Sequence, residues 1–242
     1  MSTWTKIEGA TLSADLKSVE FQSAKIGNFY VEKAGAGPTP GSKLPVGGRI
    51  FYDNGPEADI TYKFYKQDGT EIEYEYDSED ATHVVTALSD AYEYEIVDGK
   101  VPSVDRFYVF NNSLQTYKQW GKSGIETSIT SDGIGLGKSN TKTALESYDD
   151  WEDNSIFAYI RDFNNDNETG CKDWYIGSKA EQGKLYAVQS TVSIKWEGKY
   201  IWSSVENSST LAANWSFNRG DWLNSTKITA YFSYCCFAQR SF

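Results

Sequence analysis

Two alternating segments on either side of an Asp-Gly pair restrict the folds open to the first half of this chain. Residues 60–66 (ITYKFYK) and 71–77 (EIEYEYD) place aromatic or β-branched side chains at every second position, with Asp68 and Gly69 between them. Such alternation is typical of half-buried strands, and Asp-Gly between two strands is a strong hairpin signal. The segments at 47–53, 91–97 and 105–111 continue this strand-rich character. A sheet-forming first half is therefore predicted.

The middle of the chain changes from strand-like to helix-like patterns. Thr143 precedes Glu146 by three residues, and Ser178 precedes Glu181 by the same interval. Both pairs have the spacing of a capping box, in which a hydroxyl accepts a backbone N–H and the carboxylate reaches back to the start of the helix. Helices are predicted near residues 143–152, 155–162 and 178–188, with a return to strands from Val192. Strands, a few helices and strands again predict an α+β fold rather than repeated βαβ units.

A small, glycine- and proline-rich segment divides the chain. Residues 34–44 read AGAGPTPGSKL, a composition typical of a linker or an extended loop. Before it, the segments at 16–21 and 28–34 are predicted to form short strands. We therefore expect a β-rich N-terminal arm with its linker at residues 1–45, suited to attachment, and a main domain at residues 46–242.

The charge of the chain excludes one class of partner. The formal net charge is -11 and the isoelectric point is near 4.7, whereas binding to nucleic acid phosphates requires clustered Lys and Arg. The first residues lack the basic and apolar regions of a secretory signal, and no apolar run reaches the ~20 residues of a membrane span. A soluble protein that binds neither nucleic acid nor membrane is expected.

Three cysteines, Cys171, Cys235 and Cys236, give no disulfide framework because their number is odd. A bridge from Cys171 to one of the two neighbours is open, but adjacent side chains of a strand face opposite ways, so only one of the two could take part. Buried thiols that pack as small apolar side chains are the favoured interpretation.

Two motifs resemble ligand-binding loops. The stretch from Gly133 to Ser139 (GIGLGKS) is similar to a phosphate-binding loop, but Asp132 stands where that motif requires its first glycine. A glycine-rich loop that leads into a helix is therefore predicted. The stretch from Asp162 to Glu168 (DFNNDNE) spaces oxygen atoms as calcium loops do, but lacks the glycine of the EF-hand turn. Calcium there is left open, and a polar surface loop is expected.

The remaining motifs give weaker indications of function. The single histidine, His83, cannot build a histidine-based triad or zinc site. A catalytic pair of carboxylates stays open because acidic residues are abundant, but neither spacing nor an apolar setting singles out one pair, so no enzyme activity and no cofactor are predicted. The tripeptide Arg219-Gly220-Asp221 is short enough to occur by chance. The sequons at Asn111, Asn167, Asn207 and Asn224 matter only in a eukaryotic secretory route.

Four ordered strings in the second half carry a family resemblance. They are CKDWYIGSKAE (171–181), IWSSVE (201–206), ANWSF (213–217) and the closing QRSF (239–242). Together they resemble the variable proteins of diversity-generating retroelements, which include phage tropism determinants and have a C-type-lectin fold that is also found in formylglycine-generating enzymes. The similarity covers roughly residues 46–242 and is strongest after residue 139. One departure is Gln239, where many relatives carry an apolar residue.

The resemblance implies a C-type-lectin fold, with mixed antiparallel sheets and two or three short helices, whose last segment is rewritten by mutation at template adenines. The variable region is expected at about residues 200–242. In such proteins the variable positions arise from Asn codons (AAC or AAT) whose adenines are mutated. Mutation of these adenines cannot produce Lys, Glu, Gln, Met or Trp, so Trp215, Trp222 and Lys227 are expected to be fixed. Alternation further predicts that Trp215 and Phe217 are buried while Asn214, Ser216 and Asn218 are displayed.

The resemblance and this alternation assign two sets of residues. The expected ligand-binding positions are Leu211, Ala213, Asn214, Ser216, Asn218, Arg219, Asp221, Leu223, Asn224, Ser225, Ile228, Thr229, Ala230, Tyr231, Ser233 and Tyr234. The expected scaffold positions are Trp174, Trp202, Ser203, Ser204, Glu206, Trp215, Phe217, Trp222, Arg240 and Phe242.

What the resemblance implies about function is a non-enzymatic receptor-binding or adhesin subunit of a phage or prophage, located in a virion or at a cell surface. Its partners would be a protein or glycan receptor on a bacterial surface and, through the N-terminal arm, other virion or tail subunits. A lectin of fixed specificity, with or without calcium, is the alternative.

Overall fold

The structure is a computed structural model that describes residues 8–12, 19–26, 29–32, 43–55, 60–76, 81–97, 105–113, 115–147, 154–166, 170–194, 199–229 and 234–242. Within these ranges the helices are α1 (Ala81–Ala87), α2 (Leu136–Ser147), α3 (Ile156–Asp166) and α4 (Lys179–Ala187). The strands are β1 (Glu8–Leu12), β2 (Val19–Ile26), β3 (Phe29–Glu32), β4 (Lys43–Pro45), β5 (Arg49–Asp53), β6 (Tyr62–Tyr65), β7 (Glu71–Ile72), β8 (Glu93–Ile96), β9 (Phe107–Phe110), β10 (Gln115–Thr116), β11 (Tyr200–Glu206), β12 (Leu211–Ser216), β13 (Asp221–Thr226), β14 (Tyr234–Cys236) and β15 (Gln239–Ser241).

Four sheets organise these strands. Their orders are β1-β2-β3, β4-β8-β6-β7, β15-β9-β5 and β10-β14-β11-β12-β13. Strands β11 and β14 pair in parallel, and the other described pairs are antiparallel. Antiparallel sheets combined with separate helices confirm the predicted α+β class.

Strand β9 lies between the two apolar clusters of the core. Phe107 and Val109 belong to one cluster, and Tyr108 and Phe110 belong to the other. This division follows from strand geometry, because successive side chains point to opposite faces of a sheet. The sheet β15-β9-β5 is therefore covered on both faces.

The closing residues of the chain are anchored in this core. The guanidinium of Arg240 donates to both carboxylate oxygens of Asp173, at 2.9 and 3.2 Å, and to the carbonyl oxygen of Pro45 at 2.9 Å. The ring of Phe242 stacks on that of Tyr94, with 3.8 Å between centroids. Arg240 and Phe242, both expected in the scaffold, are buried. Arg240 joins the last strand to Pro45 at the end of β4, and Phe242 packs on Tyr94 of β8.

The hairpin around Asp68-Gly69 forms as predicted. The Lys66 N–H donates to the Thr70 carbonyl at 2.8 Å, and β6 pairs antiparallel with β7. The second strand is shorter than the predicted 71–77, because β7 ends at Ile72. The strand predicted from Val192 is wrong, since residues 191–193 form a turn and β11 begins only at Tyr200.

One of the two predicted capping boxes is present. The N–H of Ser178 donates to Glu181 Oε2 at 2.6 Å and the N–H of Glu181 donates to Ser178 Oγ at 3.3 Å, at the start of α4. The predicted box at Thr143 and Glu146 is wrong, because α2 begins at Leu136 and both residues lie inside the helix. The predicted helix at 155–162 corresponds to the longer α3.

One helix was not predicted, and the predicted N-terminal arm is described only in part. Helix α1 was not predicted, and His83 lies on it with an exposed side chain. The strands expected at 16–21 and 28–34 overlap β2 and β3. Residues 33–42, which include most of the predicted linker, lie outside the described residues, so the division into arm and main domain stays a prediction.

Candidate ligand-binding site

The two faces of the hairpin β12–β13 differ in chemistry. Asn214 lies opposite Leu223, Trp215 opposite Trp222 and Ser216 opposite Asp221. Opposite residues of an antiparallel pair share a face, and consecutive residues alternate between faces. We call the side with Asn214, Ser216, Asp221, Leu223 and Ser225 the polar face, and the side with Ala213, Trp215, Phe217, Trp222 and Asn224 the aromatic face.

The aromatic face packs against helix α4. Rings of Trp215 and Phe217 lie 5.0 and 5.2 Å from that of Tyr186, and Trp215 makes an edge contact with Trp222 at 4.8 Å. Phe217 is buried as predicted, whereas Trp215 and Trp222 are only partly buried. The predicted alternation of aromatic and polar residues is thus confirmed, although Trp215 is less buried than expected.

The expected display of Asn214, Ser216 and Ala213 is wrong. Their exposed fractions are 0%, 1% and 4%. Ala213 lies on the aromatic face, opposite Asn224. On the polar face Asn214 and Ser216 are covered although they are polar, so the rule that polar alternate residues face solvent does not hold for this strand.

The side chain of Tyr234 accounts for the cover over Asn214. Its ring lies 4.9 Å from that of Tyr200 and 5.0 Å from that of Trp202. Its hydroxyl lies 2.8 Å from Ser225 Oγ, which in turn accepts a hydrogen bond of 2.9 Å from Asn214 Nδ2. The tyrosine therefore extends from β14 across the polar face as far as β13. Tyr200 was not among the expected site residues, although the pattern of YIWSSVE alternates in the way that could have placed it on this face.

Ten of the expected positions are exposed or half-buried. The turn between β12 and β13 contains Gly220, whose φ of 65° is in the left-handed region that favours glycine. Arg219 and Asp221 on either side of it form an exposed ion pair at 3.1 Å, and Ile228 is 58% exposed. Ala230, Tyr231 and Ser233 lie outside the described residues. The accessible set is Leu211, Asn218, Arg219, Asp221, Leu223, Asn224, Ser225, Ile228, Thr229 and Tyr234.

A buried ion pair holds the base of this hairpin. Lys227 Nζ pairs with Glu206 Oε1, donates to the carbonyl of Ile125 at 2.5 Å and lies 4.8 Å from the ring centre of Trp120. The other carboxylate oxygen, Glu206 Oε2, accepts from the N–H of Thr127 at 2.7 Å. Lys227, expected to be fixed, therefore ties the hairpin to the loop at 119–131.

The remaining expected scaffold residues are buried and hydrogen-bonded. Trp202 Nε1 donates to the Lys118 carbonyl at 2.9 Å, and Ser203 Oγ donates to the Ala213 carbonyl at 3.1 Å. Ser204 Oγ accepts from Asn140 Nδ2 at 3.0 Å. Trp174 Nε1 donates to the Cys171 carbonyl at 3.1 Å. The bonds of Trp202, Ser203 and Ser204 connect β11 to the loop before α2, to β12 and to α2, whereas that of Trp174 is local.

The glycine-rich loop before α2 is occupied by a carboxylate of the same chain. Glu181 Oε1 accepts from the Gly135 N–H and from the Tyr175 hydroxyl, both at 3.2 Å. A Cβ on Gly137 would collide with Glu181 Oε2. Burial raises the pKa of Glu181, while hydrogen bonds from Ser178 and Tyr175 oppose that shift. The loop leads into a helix as predicted, and Glu181 fills the place that a phosphate would take.

The calcium-like segment is helical rather than a loop. Residues Asp162 to Asp166 belong to α3, and Asn167 and Glu168 lie outside the described residues. The Asn164 amide is engaged by Trp174, since its Oδ1 accepts from the backbone N–H and its Nδ2 donates to the carbonyl, both at 2.9 Å. Alternate side chains of a helix point in different directions. Among the described residues no group of three or more His, Cys, Asp and Glu could hold a metal.

The three cysteines are buried and form no disulfide among the described residues, so the bridge from Cys171 that the sequence left open does not form in this structure. Burial raises the pKa of Cys235 and of Cys236. Because the thiolate is the reactive form, we expect these two thiols to be unreactive at neutral pH in the folded protein. This agrees with the predicted packing role.

No protein-family model matches the chain, and no curated protein matches it. In the part of the chain that the structure describes, every helix is too short or too polar to cross a lipid bilayer.

Proposed function

We propose that this protein is a non-enzymatic receptor-binding or adhesin subunit of a phage or prophage, with a C-type-lectin fold and a C-terminal segment diversified by a retroelement. Mixed antiparallel sheets with short helices, as the family resemblance implies, support the fold. The observation that carries the proposal is that ten accessible expected positions cluster on β12, β13, their turns and β14, next to buried framework residues such as Glu206 and Lys227. Such a framework lets surface residues change without loss of the fold.

The residues that adenine mutagenesis cannot reach support the same proposal. Lys227 holds the base of the hairpin, and Trp215 and Trp222 pack on α4 or on each other. The ten accessible positions that the resemblance assigns to the ligand carry residue types within reach of an Asn codon, whereas the half-buried Trp215 and Trp222 of the same hairpin do not. Fixed residues would thus keep the hairpin in place while its accessible positions vary. The receptor would be a protein or glycan on a bacterial surface, and the N-terminal arm would join other virion subunits.

A calcium-dependent lectin is not the function that we propose. The segment that would supply the ligands is helical from Asp162 to Asp166, and its Asn164 side chain is already bonded to Trp174. Binding is therefore expected to be unaffected by chelation with EDTA.

The test is binding of the purified chain to a panel of bacterial cells. A variant with Asn218→Ala in the turn and Asp221→Ala and Leu223→Ala on the polar face, all accessible, should lose binding by at least about tenfold, since truncating contact residues at an interface centre costs over about 1 kcal/mol each. Its matched control carries Asn112→Ala, Asp90→Ala and Tyr92→Ala, which are also exposed but lie outside the hairpin. Equal binding by both variants, or binding to no cell in the panel, would refute the proposal.

The diversification has a separate genetic test. A near copy of the codons for residues 200–242 should lie close to the gene and beside a reverse transcriptase. It should differ from the gene only where the copy has adenine. Differences spread over all four bases would contradict diversification while leaving the binding function open to the cell-binding test.

A further inference from the structure

The amide of Asn214 is buried with one end unsatisfied. Its Nδ2 donates to Ser225 Oγ at 2.9 Å, whereas its Oδ1 has no hydrogen-bond partner among the described residues and the side chain is fully buried. A buried polar atom without a partner costs on the order of 1–3 kcal/mol. Native proteins retain such atoms at few positions, so we expect a ligand to supply a hydrogen-bond partner to the Asn214 amide.

The chemistry of the missing partner follows from the amide itself. Turning the amide over would let Oδ1 accept from the Ser225 hydroxyl and would leave Nδ2 without a partner. One end is thus unsatisfied in either orientation. A hydroxyl group both donates and accepts, so it pairs with the open end in each case.

A second unsatisfied acceptor lies on the same face. Asp221 Oδ2 pairs with Arg219 at 3.1 Å, whereas the Oδ1 atom of this partly exposed side chain is buried and has no hydrogen-bond partner in the part of the chain that the structure describes. Asn214 faces Leu223, which is two residues from Asp221 on the same strand, and such diagonal neighbours lie roughly 7–8 Å apart. A ligand that carries several hydroxyl groups offers a separate donor to each of these two atoms.

The aromatic rings that cover Asn214 add an apolar surface beside these polar atoms. The rings of Tyr200 and Tyr234 are stacked, with planes 22° apart, and both side chains are partly exposed. Tyr234 is the first residue of β14, and the hydroxyl bond to Ser225 is what holds its tip over the polar face. Binding sites for small ligands combine aromatic surface with a few polar groups in this way.

We propose that the polar face binds a saccharide, in which one hydroxyl pairs with the Asn214 amide after the Tyr234 ring turns aside, a second pairs with Asp221 Oδ1, and the sugar ring packs on Tyr200. This inference rests on the proposed binding function and names the chemical class of the receptor. A protein receptor, the other class, is an outcome of the test.

The test uses an array of bacterial surface polysaccharides and compares the full chain with Asn214→Leu. Leucine has a similar volume and removes the unsatisfied amide, so the folded state should be at least as stable. Binding to the recognised saccharide should fall at least about tenfold, because a site built around a hydroxyl contact discriminates strongly when the contact is lost. The control is Asn112→Leu, which is exposed and outside the hairpin and should bind like the unchanged chain.

A second variant examines the cover. Tyr234→Phe keeps the ring but removes the bond to Ser225, so saccharide affinity should be equal or higher. Saccharide binding that Asn214→Leu leaves unchanged would overturn the inference. Binding to cells that survives periodate oxidation of their sugars but is lost after protease treatment would also overturn it, and would leave the proposed function intact. Failure to bind either cells or saccharides would overturn both.

Discussion

Glu206 and Lys227 form an ion pair that is almost completely removed from water, with side-chain exposures of 2% and 0%. The pair joins the end of β11 to the residue that follows β13. Both charges have further partners in the loop at 119–131, so neither depends on the other alone. The pair therefore fixes the hairpin by electrostatics at a point where no ligand can reach.

Removing one partner should be strongly destabilising. Lys227→Met leaves the buried Glu206 carboxylate with its hydrogen bonds from the loop but without a counter-charge, and the expected loss in the free energy of unfolding is about 3–5 kcal/mol. The double variant Glu206→Gln, Lys227→Met should be more stable than the single variants predict in sum, because no charge is then left unpaired. Urea denaturation measures all three. Lys142→Met is the control, since Lys142 and Glu146 form an exposed pair at 3.8 Å and its loss should leave the midpoint unchanged. Additive effects of the two buried substitutions would contradict a coupled pair.

Two helical glycines should respond in opposite ways to alanine. A methyl group on Gly137 would meet the Ile176 carbonyl oxygen at 2.8 Å as well as the Glu181 carboxylate, so Gly137→Ala should destabilise by about 1–3 kcal/mol. A methyl group on Gly183 would meet nothing within 4 Å, so Gly183→Ala should stabilise by roughly 1 kcal/mol. Thermal unfolding of both variants provides the measurement. A stabilised Gly137→Ala would show that Glu181 does not occupy the start of α2.

The pH dependence of stability should carry the signature of Glu181. Its pKa is raised in the folded protein by burial, so the folded state holds this proton more tightly than the unfolded state does. The contribution to stability is full below the unfolded pKa, near 4.5, and is lost as pH rises through the raised value. Glu181→Gln removes this dependence. The unchanged chain should therefore lose stability relative to Glu181→Gln when urea unfolding is compared from about pH 4 to about pH 8. A constant difference between the two would contradict the raised pKa.

The buried thiols should be unreactive until the protein unfolds. Cys235 and Cys236 have raised pKa values because of burial, and Cys171 is also buried. A thiol reagent at neutral pH should modify none of them in the native state and all three in denaturant. Ser89→Cys, at an exposed position, serves as the positive control and should react at once. Fast native labelling of Cys235 would show that β14 opens readily.

Local patterns predicted some of the local structures and missed others. The Asp68-Gly69 hairpin and the Ser178 capping box depend on neighbouring residues alone, and both form. The start of α2 could not be predicted, because it is set by the Glu181 carboxylate 46 positions away from Gly135. A turn at Val192 in place of a strand likewise reflects tertiary packing, since Val192 is buried in the core.

In the candidate site, too, local pattern predicted the face on which a residue lies but not whether that residue is exposed. Alternation correctly separated Trp215 and Phe217 from Asn214 and Ser216, because that division needs only strand geometry. Exposure could not be predicted, since it depends on Tyr234, a residue from another strand that reaches across the sheet to Ser225. The pairing of Glu206 with Lys227 was also beyond local pattern, although the expectation that Lys227 is fixed pointed to the right residue.

The parallel pairing of β11 with β14 bears on how the chain folds. Tyr200 pairs with Tyr234, and the hairpin β12–β13 lies entirely between them in sequence. The hairpin closes through near neighbours, whereas the parallel pair must bring together segments separated by the whole hairpin, which is slower. Substitutions in the β12–β13 turn should therefore act early in folding. Substitutions on β14 should act on a later step, in which β14 pairs with β11 and the Tyr234 side chain comes to lie across the sheet.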